Sequence, residues 1–127
     1  MEPLVIVHVV AAVALLVVAL VVGGWGIARA PAIGAAGSGR EGRWYAQLLQ
    51  LSHTLVLAVG VLGVVVLLDG NRPDDPLHTR VYGPFMLVAI IAAYGYRTRD
   101  AALNVRVFAI ASLVVAALAM RAIATGA

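Results

Sequence analysis

The run "PLVIVHVVAAVALLVVALVVGGWGIA", residues 3 to 28, decides the fold class. It carries no carboxylate, lysine or arginine, and its only ionisable side chain is His8. About 20 such residues are enough to cross the hydrocarbon core of a bilayer as a helix. The run opens after Glu2 rather than after basic residues, and its apolar stretch exceeds a signal-peptide core. The "ARA" at 28 to 30 is followed directly by Pro31. The segment therefore reads as a retained helix rather than a cleaved leader.

Three more runs follow: 44 to 68, about 76 to 97, and about 102 to 124. Hydrocarbon offers no partner to a backbone N–H or C=O, so each run must pair its own amides as a helix. The abundance of Val and Ile does not argue for strands in that setting. The expected fold is an all-α integral membrane protein, a single domain of four transmembrane helices in an antiparallel up-down bundle. Short second and third connections favour that topology.

Composition agrees. Of 127 residues, 63% are hydrophobic and 12% charged, and the mean hydropathy is +1.01. A soluble domain is nearer half apolar and a quarter charged, and so short a chain cannot bury this much apolar surface from water. The lipid bilayer is the first expected partner. Other membrane subunits, or further copies of the chain, are the next. There is no cysteine, which excludes disulfides, thiolate metal sites and Cys nucleophiles. The net charge of +3 is spread over separate loops. No basic stripe with interleaved aromatics exists, which argues against a nucleic-acid partner.

The arginines orient the bundle. Arg29, Arg40, Arg43, Arg97, Arg99 and Arg106 lie in or beside the first and third connections. Arg72, Arg80 and Arg121 lie at the opposite end with Glu2, Asp69, Asp74 and Asp75. The positive-inside rule then predicts a multi-pass protein of the cell membrane with both termini on the extracytoplasmic side. Trp25, Trp44, Tyr45, Tyr94 and Tyr96 are expected to form an aromatic belt at the inner boundary.

The connections read as follows. The first, "RAPAIGAAGSGREGR", residues 29 to 43, is Gly- and Ala-rich and expected to be flexible. The second ends in Asp75-Pro76, a capping carboxylate followed by a residue whose missing N–H costs nothing at a helix start. Pro84 then either kinks the third helix near Arg80 or lies at its start; the kinked helix is the favoured alternative. Small residues at helical spacing, Ala12, Ala19, Gly23 and Gly26 in the first run, Gly60 and Gly63 in the second, and Ala109, Ser112, Ala116 and Ala119 in the fourth, predict close helix packing.

Ionisable groups inside spans are costly and so are candidate functional residues. His8 and His78 sit at similar depth near the outer side, on helices expected to face each other across the bundle. Two imidazoles so placed can ligate a haem b iron from opposite faces. Arg80 and Arg121, on the same side, are the expected partners of its propionates. His53, with Gln50 one turn before it, lies on the inner side, where the pair can hold a quinone headgroup. A structural interhelical bond from His53 is the alternative. Arg106 and Asn104 read as inner-boundary anchors.

A four-span layout with His near helix ends resembles the small haem-ligating bundles of b-type cytochromes and of each half of haem A synthase. The resemblance is one of layout. The glutamate and paired-His patterns of haem A synthase are missing, and no catalytic residue carries over. Acyl-transfer, zinc-protease and phosphate-loop motifs are also missing. The first functional expectation is an accessory or structural membrane subunit without catalysis of its own. A bis-His haem b electron carrier using His8 and His78 is the alternative, and a quinone-site protein using Gln50 and His53 comes third.

Overall fold

A computed structural model describes residues 2–35 and 39–126. Among these the chain is all-helical, with four α-helices and no strand. They are α1 (Pro3–Gly34), α2 (Gly39–Leu68), α3 (Gly83–Gly95) and α4 (Ala101–Gly126), and a π turn over His78–Tyr82 leads into α3. Three of them, α1, α2 and α4, are long and apolar enough to cross a membrane.

The helices depart from the expected bounds in three places. α1 runs on to Gly34, but Arg29 leaves helical geometry at φ −125°, ψ 18°. Pro31 is the cause: it has no N–H for the Ile27 carbonyl, and its ring disfavours helical backbone just before it. α2 starts at Gly39, so most of the first connection is helical rather than a flexible loop; the part at residues 36–38 lies outside the described residues. α3 begins at Gly83 with Pro84 in its first turn. Pro84 therefore opens the helix, which corrects the favoured kink. The preceding residues relax into a π turn, closed by the Gly83 N–H on the His78 carbonyl. With 13 residues, α3 rises only about 20 Å, short of the hydrocarbon thickness on its own. Asp75 Oδ1 accepts the Leu77 N–H at 2.9 Å, but the α-helix that Asp75-Pro76 is expected to open begins only at Gly83.

α1 packs most extensively on α4 and next on α2, and α3 packs on α4 and sparsely on α2. The small-residue stripes make the α1–α4 seam. A Cβ placed on Gly23 would stand 3.2 Å from the Ala109 carbonyl oxygen, and one on Gly26 would stand 2.6 Å from Ala109 Cβ. The facing residues Ala12, Ala19, Ala109, Ser112, Ala116 and Ala119 are all buried. A Cβ on Gly60, by contrast, would meet nothing within 4 Å. Helices that meet through small side chains bring their backbones close and gain dispersion along their length. The main core cluster includes Leu15, Val56, Tyr82, Met86 and Val115.

One end of the bundle is closed by polar ties between α1, α2 and α4. Glu41 accepts from Trp25 Nε1 at 3.0 Å, from Arg29 Nε at 3.1 Å and from Arg29 Nη2 at 2.9 Å. Tyr45 is only 4% exposed; its ring meets Trp25 edge-on and its hydroxyl reaches the Val105 carbonyl at 3.5 Å. Tyr45 is therefore a wedge in the core rather than a belt residue, whereas Trp44, Tyr94 and Tyr96 are exposed. Asn104 is also no simple anchor. Its amide clasps Thr98, accepting the backbone N–H at 2.8 Å and donating to the carbonyl at 2.9 Å, which shapes the turn before α4.

Candidate functional site

The opposite end gathers the N-terminal turns of α1, the last turns of α2 and α4, and the π turn. Asn71 Nδ2 donates to Glu2 Oε2 at 3.1 Å, which brings the chain after α2 beside the start of α1. A few residues deeper, His8 and His78 meet. Their ring centroids are 6.2 Å apart with planes at 73°, and both residues are half-buried.

Each imidazole rests against a glycine. A Cβ on Gly63 of α2 would stand 3.2 Å from His8 Cε1, and a Cβ on Gly126 of α4 would stand 2.6 Å from His78 Cε1. A side chain at position 126 would displace the His78 ring, and one at position 63 would crowd His8. The two imidazoles differ in their hydrogen bonds. His78 Nδ1 lies 3.5 Å from Thr125 Oγ1, whereas His8 Nδ1 is buried with no partner. A buried polar atom left unpaired is rare in a folded protein and calls for a reason.

The separation has a chemical meaning. Two metal–imidazole bonds of about 2 Å, plus about 1 Å from each ligating nitrogen to its ring centre, set the centroids about 6 Å apart. The His8–His78 separation is compatible with one metal ion between the rings and is also that of an ordinary edge-to-face ring contact. Among the described residues no group of three or more His, Cys, Asp or Glu gathers. A four-ligand zinc site is not formed, and the two-nitrogen donor set suits a metal whose remaining ligands come from elsewhere, such as a porphyrin.

The two arginines sit on the same end. Arg80 is exposed in the π turn, two residues after His78. Arg121 is exposed too, with its guanidinium 6.0 Å from the centre of the Tyr82 ring. The single ion pair among the described residues is Arg29–Glu41, at the other end.

No hydrogen bond joins His53 to Gln50 among the described residues, although the two lie one turn apart on α2. Gln50 is exposed, and its backbone carbonyl accepts from Thr54 Oγ1. His53 instead meets Tyr94 of α3, with the hydroxyl 3.3 Å from Nδ1, and packs beside Phe108 of α4. Sequence reasoning placed Tyr94 in the belt and missed it as a partner of His53, and it missed Thr125 altogether. The only hint was that Thr125 and His78 both fall near the outer ends of their runs. A shallow groove of about 260 Å³ between α3 and α4, lined by Ala89, Ala93 and Ala111 among others, is apolar.

Compared with known proteins, the chain matches no family model, no curated protein and no solved structure.

Proposed function

We propose that this chain is a multi-pass membrane protein, an antiparallel up-down bundle, that holds one haem b between His8 and His78. The observation that carries the reading is the 6.2 Å approach of the two imidazoles, each seated on a glycine. An intramembrane ionisable pair is costly and defaults to function. His8 Nδ1 is buried without a partner among the described residues, so it is a donor atom that a bound metal would satisfy. The flanking side chains are small: Gly63 on α2, and Ala119, Ala122 and Gly126 on one face of α4. Arg80 and Arg121 supply cations for carboxylates at the membrane surface. A bound haem would supply a one-electron redox centre; the chain's own part is to ligate it, neutralise its acids and keep it in a low-dielectric site.

Exposed side chains such as Leu57, Val61, Val64 and Ile91 are read as lipid-facing, because aliphatic surface of this extent does not face water in a monomer. The Arg29, Arg40, Arg43, Arg97, Arg99 and Arg106 end is read as cytoplasmic, which puts the haem and both termini on the outer side. The native chain has no cysteine, so single-cysteine labelling at Thr98 and at Asn71 reads the two sides cleanly.

The test of the main reading is an absorption spectrum of detergent-purified protein, expressed with haem available, before and after dithionite. A sharp reduced α-band, lost in His78→Ala, is expected. Colourless wild-type protein would end the haem reading. The accessory-subunit reading then leads, on one observation: α2 buries only Tyr45, Ser52 and Val56 among its described residues, which leaves a long face for another helix. Native mass spectrometry of the protein in mild detergent measures that association.

A further inference from the structure

The first turns of α2 carry positive charge that the fold leaves unanswered. Arg40, Arg43, Trp44 and Gln47 follow the i, i+3, i+4 and i+7 spacing that puts side chains on one helix face. All four are exposed, and together they line a cleft of about 240 Å³. Glu41, the one carboxylate in the first turn of α2, turns toward α1 and accepts from Trp25 and Arg29. No carboxylate pairs with Arg40 or Arg43 among the described residues. Two like charges one turn apart repel and cost the helix stability, which an anion between them relieves. Each guanidinium presents a planar fork of N–H donors that matches two oxygens of a phosphate. Gln47 adds amide donors one turn deeper. Trp44 is 56% exposed, and an indole so placed sits at headgroup level. Deeper still the same face becomes aliphatic: Leu51, Val61 and Val65 continue its register and are exposed. A cationic cleft at the head of an aliphatic stripe has the layout of a phospholipid, charged at one end and acyl along its length.

We propose that Arg40, Arg43, Trp44 and Gln47 form a binding site for the headgroup of an anionic phospholipid, with its acyl chains along Leu51, Val61 and Val65. This rests on the membrane reading above and is independent of the haem. A zwitterionic lipid carries its own cation beside the phosphate and gains little from two arginines. A lipid with net negative charge gains about fivefold in affinity from each arginine near the surface. A second copy of the chain fits the face less well, because a two-fold axis along the membrane normal would set the same arginines against each other.

The experiment titrates full-length, detergent-purified protein with phosphatidylglycerol or phosphatidylcholine and counts the retained lipids by native mass spectrometry. Wild type is expected to hold phosphatidylglycerol roughly 25-fold more tightly than phosphatidylcholine. Arg40→Gln and Arg43→Gln are each expected to lose about fivefold of that preference, and the double variant nearly all of it. Arg97 and Arg99 lie at the same end, in the turn between α3 and α4, outside the cleft. Changing both to Gln removes as much charge and is expected to leave the preference intact. No preference in wild type, or equal loss in the two double variants, would overturn the proposal. Displacement of the lipid by inorganic phosphate at constant ionic strength would also overturn it, in favour of a free anion. Lipid-free dimers that vanish in the Arg40→Gln, Arg43→Gln variant would give the face to a second copy instead. The membrane reading has its own readout, flotation with vesicles of phosphatidylcholine alone. Wild type is expected to float with them; folded, monodisperse protein left behind in detergent-free buffer would overturn that reading.

Discussion

Replacing Gly26 with Ala puts a methyl carbon 2.6 Å from Ala109 Cβ and 2.7 Å from the Tyr45 hydroxyl. Carbon atoms attract best near 3.5–4.0 Å, so the contact must open by roughly 1 Å. Ala109 Cβ cannot swing away, because it is fixed to the backbone of α4. Tyr45 has little room, being 4% exposed. The helices must part, and the dispersion along their closest seam falls with them. Overpacking of this kind costs about 1–3 kcal/mol. Ala also forms helix better than Gly, by up to about 1 kcal/mol, which masks part of the loss. Gly24→Ala removes that ambiguity: it lies in the same helix with nothing within 4 Å of its added carbon, so it gains the propensity and suffers no clash. The difference between the two variants should be about 2 kcal/mol, a factor of about 30 in the folded-to-unfolded ratio. Reversible unfolding in mixed micelles, followed by Tyr and Trp fluorescence, measures it. Equal stability of the two variants would refute the close α1–α4 seam.

Further substitutions test other parts of the bundle. Gly34→Ala meets the backbone of Ala102, 2.6 Å from its nitrogen; a backbone neighbour cannot rotate aside, so this variant should lose at least as much stability as Gly26→Ala in the same unfolding assay. Gly126→Ala should push the His78 ring off the last turn of α4 and abolish the haem spectrum while circular dichroism shows helix content unchanged; a retained α-band would count against the seat. Tyr94→Phe removes the hydroxyl beside His53 and should cost about 0.6 kcal/mol, the usual worth of such a bond between membrane helices. A much larger loss would mean that the His53 contact does more than tie α2 to α3.

Much of the architecture was legible in the residues alone. In hydrocarbon, a run as apolar as 3 to 28 would have no backbone partner but itself, and the structure shows it as a helix. The turn that Asp75 holds follows from the chemistry of one residue, whereas the choice between a kink at Pro84 and a helix start there did not. The stripes Ala12–Ala19–Gly23–Gly26 and Ala109–Ser112–Ala116–Ala119 told which faces pack, because small side chains are what bring membrane helices together. Glu41 was unreadable as a clasp on Trp25 and Arg29, since that contact exists only after Pro31 bends α1 at Arg29.

Sequence by itself determined the helices, their apolar surfaces and the end of the bundle at which each polar residue falls. Only the tertiary structure decided that His8 meets His78, that the two rings rest on Gly63 and Gly126, and that His53 finds Tyr94. The reason is rotational. Hydropathy reports depth along a helix but not the azimuth of one side chain, and each residue of advance turns an α-helix by about 100°. The azimuth of His78 depends on the wider π turn forced ahead of Pro84, and that of His8 on how closely Gly23 and Gly26 let α1 approach α4.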